Sequence, residues 1–267
     1  MLTVESHGDV QRLHWTTWRS RAVGYSVSTY AVRGTLIDSA FDGVGRELMA
    51  WIAAKRPGGV LITHAHDDHG GNAERLARAG VPLQVSAATE RLLRTPQHRN
   101  LYRRWTWGPM PLLVSPVVPY VAPDLEMIAA PGHSPDHHVV WDAERETLFA
   151  ADLFLGVKVR VAHPIGREDV RQQVATIRRV LALRPKRVFD AHKGLLRDGA
   201  ALLTAKADWI EETVGRIDAR IAEGWDDAAI VRDVFGGEVF LARTSQGDFS
   251  RANFVAVVRS THGAATR

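Results

Sequence analysis

The chain contains no cysteine in 267 residues. That excludes disulfides and thiolate metal ligands, and it is compatible with a reducing cytoplasm. No apolar run approaches the ~18 residues that a membrane-spanning helix needs. The opening residues, Met1-Leu2-Thr3-Val4-Glu5-Ser6-His7, carry neither a basic stretch nor an apolar one. No secretory signal is visible there, and a cytoplasmic location with no membrane attachment is expected. No segment repeats at a fixed period. What is present is ordinary for a globular chain: 45% hydrophobic residues and a net charge of +4. The mild basic excess reads as a solvated arginine-rich surface before it reads as a polyanion-binding face.

The first third alternates strand and helix signals. Strand patterns cover 23–32 and 35–38, a helix follows around Leu48–Ile52, and Gly59-Val60-Leu61-Ile62-Thr63 forms a short buried strand. A helix over 73–79, a strand over 81–85 and a helix over 87–94 come next. Residues 96–123 break the rhythm: six prolines there prevent a long helix or a central strand. Strands near 125–129, 138–141 and 147–151 then precede an amphipathic helix over 168–183 and a last strand over 187–189. Beyond Gly194, the stripe Leu203, Ile210, Val214, Ile217, Ile221 predicts a long helix, with two more opening at Asp226 and at Asp248-Phe249-Ser250.

The chemistry concentrates at His64-Ala65-His66-Asp67-Asp68-His69, on a strand-to-helix turn where side chains converge. Imidazoles and carboxylates at this spacing are ligands for zinc or a similar first-row metal. Further on stand Pro131-Gly132-His133, Asp152 after Leu148-Phe149-Ala150-Ala151, and His192 after Phe189-Asp190-Ala191. Each places one potential ligand at the end of a short apolar run.

This ordered set resembles the metallo-β-lactamase superfamily over about residues 20–197, with its glyoxalase II-like and β-lactamase-like members. The resemblance implies an α/β fold, a four-layer αβ/βα sandwich over 1–197, followed by a C-terminal helical, winged-helix-like extension over 198–267. By the same resemblance His64, His66 and His133 would hold one zinc, and Asp68, His69 and His192 a second, with Asp152 bridging. Iron or manganese are the alternative metals. The shared hydroxide would be the nucleophile. Asp68 is also the candidate for receiving or returning a proton. Asp38, at a strand end, would orient a ligand imidazole through its second nitrogen. Members of the superfamily vary in the stretch corresponding to 96–123, which makes Trp105, Trp107 and Met110 candidate walls of the substrate pocket. Asp67 is read as solvated, His137 and His138 are left without a role, and His163 is read as a loop histidine.

The implied activity is a zinc-dependent hydrolase of a small ester-like molecule: a thioester, lactone or β-lactam. A metal-dependent phosphodiesterase or ribonuclease, served by the basic excess and the helical tail, is the alternative. A mononuclear iron dioxygenase acting on sulfur is a further one. His66 stands where iron-based oxygen-reducing relatives carry glutamate, and no cysteine is available for the cysteine-ligated β-lactamase branch. Nucleic-acid binding is open but not favoured, and the oligomeric state is open.

Overall fold

The computed structural model describes residues 1–162 and 168–262, so His163 lies outside the described residues. Among the described residues, eleven strands form two sheets. The first runs in chain order: β1 (Leu2–His7), β2 (Val10–Trp15), β3 (Val27–Val32), β4 (Thr35–Ile37), β5 (Gly59–Ile62) and β6 (Leu83–Val85). The second comprises β7 (Glu126–Ala129), β8 (His138–Asp142), β9 (Thr147–Phe149), β10 (Arg187–Asp190) and β11 (Gly194–Leu196), ordered β11-β10-β9-β8-β7.

Parallel pairing is confined to β4-β5-β6 and β9-β10; every other neighbour is antiparallel. The registers Ile37↔Leu61 and Phe149↔Phe189 bring the carboxyl ends of β4 and β5, and of β9 and β10, level with one another. Ligand sites of α/β sheets form at such carboxyl ends. Asp38, His64, Asp152 and His192 all follow these strands within three residues.

The two sheets face each other across an apolar layer in which Tyr30, Ile37 and Leu61 meet Val140, Phe149 and Phe189. Phe149 and Phe189 stack at 5.3 Å. The buried Tyr30 hydroxyl donates to the Asp190 carbonyl at 2.6 Å, so the only polar atom of that ring is satisfied inside the layer. Helices cover the outer faces. Leu48 from Gly45–Lys55 and Leu76 from Ala73–Arg78 pack on Leu36 and Val60. Ile177 from Val170–Leu181 and Leu203 from Gly199–Ala222 pack on Leu148 and Val188. This is the four-layer αβ/βα sandwich expected from the sequence.

The helix Gly199–Ala222 serves two bodies of core. Leu203 and Ala207 belong to the outer layer of the second sheet, while Ile210, Val214 and Ile217 pack with Ile230, Phe235, Phe254 and Val258. Helices Asp227–Phe235, Phe240–Thr244 and Arg251–Ser260 complete the extension. Among the described residues it is purely helical, with no strand pair to form a wing, so the likeness to a winged helix stops at the helices. Two further differences concern the first residues. The pair β1-β2 is a hairpin closed by the two-residue turn Gly8-Asp9, with Gly8 at φ +67°. A short helix, Trp18–Ala22, is followed by a turn at Val23-Gly24, with Gly24 at φ +75°, so the strand expected over 23–32 begins only at Val27 as β3. No helix among the described residues is long and apolar enough to cross a membrane.

Lys206 is 1% exposed on Gly199–Ala222. Its ammonium donates to the carbonyls of Leu153 (2.8 Å) and Phe154 (2.7 Å), in the turn after Asp152. Burial lowers its pKa from 10.5 to about 8. Between those values the unfolded chain binds the proton and the folded chain does not, so folding stability rises as pH increases from 8 to 10.5. Relative to Lys206→Met, the wild type is expected to gain about 3 kcal/mol across this window, since one pKa unit equals about 1.4 kcal/mol. Urea denaturation of both proteins at the two ends of the window checks this; parallel curves would contradict it.

Candidate metal centre

The loop from Thr63 to Gly71 is wound tightly after β5. The amides of His69 and Gly70 both donate to the His66 carbonyl, at 3.0 and 2.8 Å. At Gly71 a Cβ would stand 2.1 Å from the Asp67 carbonyl oxygen, so only glycine permits this turn. The result is two adjoining groups, His64, His66, His133, Asp152 and Asp68, His69, His192, each with candidate ligand atoms within 4.8 Å of one another. All seven residues singled out as ligands are brought together.

Asp152 joins the groups. Its Oδ2 lies 3.3 Å from His133 Nε2 and 3.9 Å from His64 Nε2, whereas its Oδ1 lies 3.1 Å from His69 Nε2 and 3.2 Å from His192 Nε2. His66 Nδ1 stands 3.0 Å from His133 Nε2, and Asp68 Oδ2 3.6 Å from His192 Nε2. His64 Nε2 is buried without a hydrogen-bond partner, and His69 Nε2 and Asp152 Oδ1 are buried with only each other and His192 Nε2 in reach. Buried lone pairs left this way are costly unless a cation takes them. The nitrogen and oxygen donor set, buried and convergent, fits divalent metal ions of the zinc type.

The remaining nitrogens of these rings are tied down. Asp38, a buried residue at φ +66°, accepts from the Thr63 amide (2.8 Å) and hydroxyl (2.9 Å) through Oδ1, and from His69 Nδ1 (2.7 Å) through Oδ2. The Thr63 hydroxyl spends its one hydrogen on Asp38, so its oxygen accepts from His64 Nδ1 at 3.0 Å. One carboxylate therefore sets two imidazoles with Nε2 facing inward. His192 Nδ1 donates to the Ser26 carbonyl at 2.6 Å, and His133 Nδ1 faces Glu168 Oε1 at 3.1 Å. The amides of His192 and Lys193 donate to Asp190 Oδ1 at 2.8 and 2.7 Å.

Proton affinities follow this layout. Burial, aided by neighbouring imidazoles, holds His64 well below the usual histidine range. Burial opposes protonation of His133 and His192 too, but Asp152, joined by Glu168 at His133 and by Asp68 and Asp190 at His192, outweighs it and pushes each up to about 9. Asp152 is buried, yet the charges of His69 and His192 bring its carboxyl well below the ordinary value. In the metal-free chain, protons on the surrounding imidazoles balance Asp152, and these are the protons that a metal displaces.

Sequence reasoning missed three residues here. His137 is buried and neutral, its pKa lowered to about 3 chiefly by burial; its Nδ1 donates to the Ala130 carbonyl and its Nε2 accepts the Asp152 amide at 3.2 Å. It positions Asp152, and its place four residues after His133 was the available signal. Glu168, beside His133, and Asp190, behind His192, had no local signal. Asp67 is a correction: it is 5% exposed, not solvated. Arg99 and Arg103 grip it, the latter at 2.9 Å, and their charges overcome burial to hold its carboxyl below the usual range. Asp67 thus anchors the proline-rich segment to the metal loop.

A cavity of about 370 Å³ opens beside the two groups, with Asp68, His133, Asp152 and His192 in its wall. Trp107 is among the residues that line it. Trp105 and Met110 do not: Trp105 is 40% exposed and packs edge-on against Trp18 at 5.6 Å, and Met110 packs against the core of the first sheet. The short helix Leu101–Trp107 turns alternate faces of the segment outward, which separates the two tryptophans.

Two helix-flanked sheets with paired histidine-aspartate groups at their carboxyl ends define a metal-dependent enzyme of the αβ/βα class. Residues 23–192 match the family described as Metallo-beta-lactamase superfamily, and the chain belongs to it. It is a metal-dependent hydrolase. The chain is similar to the probable metallo-hydrolase YybB of Bacillus subtilis (strain 168), 25% identical over 152 residues that make up 55% of this chain and 69% of YybB. The metallo-beta-lactamase family protein TTHA1429 from Thermus thermophilus shares the fold with a TM-score of 0.63 at 15% identity, over 97% of this chain and 93% of that one. That coverage takes in the helical extension. The metallo-beta-lactamase FIM-1 from Pseudomonas aeruginosa, in a mono-zinc form, gives a TM-score of 0.56 at 17% identity over 79% of this chain and 95% of its own.

Proposed function

We propose that this chain is a zinc hydrolase of a small ester-like substrate, a thioester, lactone or β-lactam, working with two zinc ions. The observation that carries the reading is the placement of Asp152, one oxygen toward each group. His64, His66 and His133 would hold one ion and Asp68, His69 and His192 the other, with Asp152 between them. When bound, the ions polarise the scissile carbonyl and make water a stronger nucleophile at neutral pH. Asp68, which lines the cavity, would receive a proton and return it to the leaving group. His137, Glu168 and Asp38 keep the surrounding rings and Asp152 in register.

A complete second group, Asp68, His69 and His192, favours two metals over a single iron centre. A cavity of about 370 Å³ suits a small molecule. We take 1–197 as the catalytic unit and 198–267 as an extension sharing the helix Gly199–Ala222 with it, and we place the cysteine-free chain in the cytoplasm. The test is turnover of thioester, lactone, β-lactam and single-stranded RNA substrates by zinc-loaded protein. Hydrolysis of a carbonyl substrate is expected, lost on chelation, restored by zinc and absent from His66→Ala. Cleavage of RNA alone, or turnover that survives chelation, would overturn the proposal.

A further inference from the structure

We propose that residues 241–249 of the extension form part of the substrate-binding wall and select esters bearing an apolar acyl group, an inference that rests on the hydrolase reading above. Beyond the metal-binding residues, the cavity lining is largely apolar: Tyr25, Trp107, Leu155, Val159, Leu241 and Phe249. Its aromatic part is continuous. Tyr25 stacks on Trp107 at 5.9 Å and meets Phe249 at 6.5 Å, and Phe249 meets Tyr102 at 5.7 Å.

The extension is fastened to both loops that shape this wall. Asn100 Nδ2 donates to Asp248 Oδ1 at 2.6 Å, and the Leu101 amide donates to Gln246 Oε1 at 2.9 Å, which ties it to the proline-rich segment. Asn253 Nδ2 donates to the Ala162 carbonyl at 3.1 Å, which ties it to the stretch carrying Leu155 and Val159. The Phe249 amide donates to Ser245 Oγ at 2.9 Å, so the ring is carried on a turn that is itself anchored. Leu241, 43% exposed, presents an aliphatic side chain at the same cavity. Of the charged residues in the lining besides the metal-binding ones, Arg103 is bound to Asp67, while Glu168 and Lys193 stand at the metal end beside His133 and His192. A wall of this kind gains affinity from apolar surface taken out of water, not from phosphate charge.

The first arm titrates acetate, butyrate, hexanoate and octanoate into the full, zinc-depleted chain by calorimetry. The shared carboxylate cancels along the series, and affinity should rise about fourfold per methylene until the cavity is filled. Phe249→Ala and Leu241→Ala should each flatten that slope, lowering octanoate affinity at least tenfold for Phe249→Ala and leaving acetate within about twofold. If Phe249→Ala misfolds by circular dichroism, the half-exposed Leu241 decides. The second arm compares p-nitrophenyl acetate with p-nitrophenyl octanoate on zinc-loaded protein; the variants should raise KM for the octanoate while kcat holds. Affinity independent of chain length, or slopes unchanged in both variants, would overturn the inference. Chain-length selectivity in binding without hydrolysis of any ester would support this wall and sink the hydrolase reading.

Discussion

Asp152→Ala is expected to lower kcat/KM by a thousandfold or more, with the fold retained. Asp152 is the one residue whose oxygens face both groups, at 3.1 Å from His69 Nε2 and 3.3 Å from His133 Nε2. Without it neither group keeps its anionic donor toward the other, and two cations would sit close together among neutral imidazoles with Asp68 as the remaining carboxylate. Coulomb repulsion in a buried site then works against double occupancy. The several kcal/mol that metal polarisation contributes to the transition state corresponds to about a thousandfold in rate. In the metal-free chain the same substitution is mild, because the imidazoles that the Asp152 charge keeps protonated simply lose those protons. Metal content by mass spectrometry should fall from the two ions per chain proposed above to one or none while far-ultraviolet circular dichroism stays unchanged. A variant that keeps two metals and wild-type turnover would show that Asp152 does not join the groups.

The proximity of the candidate ligands was legible because they lie just after apolar runs and keep their offsets along the chain: His64 and His66 after β5, Asp152 after β9, His192 after β10. The sandwich was legible for the same reason, since alternating strand and helix patterns leave few ways to cover both sheet faces. What stayed hidden depends on contacts distant in sequence. Asp67 looks like any loop aspartate until Arg99 and Arg103, over thirty residues away, fold onto it. Glu168 precedes its helix as an ordinary polar residue, and only the close approach to His133 gives it a purpose. Trp105 and Trp107 differ in fate because a single helical turn separates inward from outward, which a proline-rich stretch does not reveal. The hairpin β1-β2 has a local signal, Gly8-Asp9 between two alternating runs. Phe249 in the cavity wall had none, because its place is set by how the extension docks.

Asp38→Asn is expected to leave the chain folded and to weaken metal binding at the Asp68, His69, His192 group by about 10- to 100-fold. Asparagine tolerates the left-handed backbone at φ +66°, and its oxygen still accepts from the Thr63 amide and hydroxyl. The other end changes sign: an amide N–H replaces Oδ2 and points at His69 Nδ1, 2.7 Å away. His69 must then accept at Nδ1 and carry its hydrogen on Nε2, the atom that faces Asp152. A protonated Nε2 has no lone pair for a metal, so the site loses a donor with hardly any change in shape. Asp38→Ala separates this effect from plain destabilisation. It leaves the Thr63 amide and hydroxyl without their acceptor in a buried site and puts alanine at a strained φ, for a loss of about 3–5 kcal/mol in folding stability. The two substitutions should therefore diverge, Asn in zinc affinity measured by competition with a chelating dye and Ala in the melting temperature of the metal-free protein. If Asp38→Asn binds two zinc ions as tightly as the wild type, His69 does not use Nε2 as a ligand, and the second metal position would have to be rebuilt around Asp68 and His192 alone.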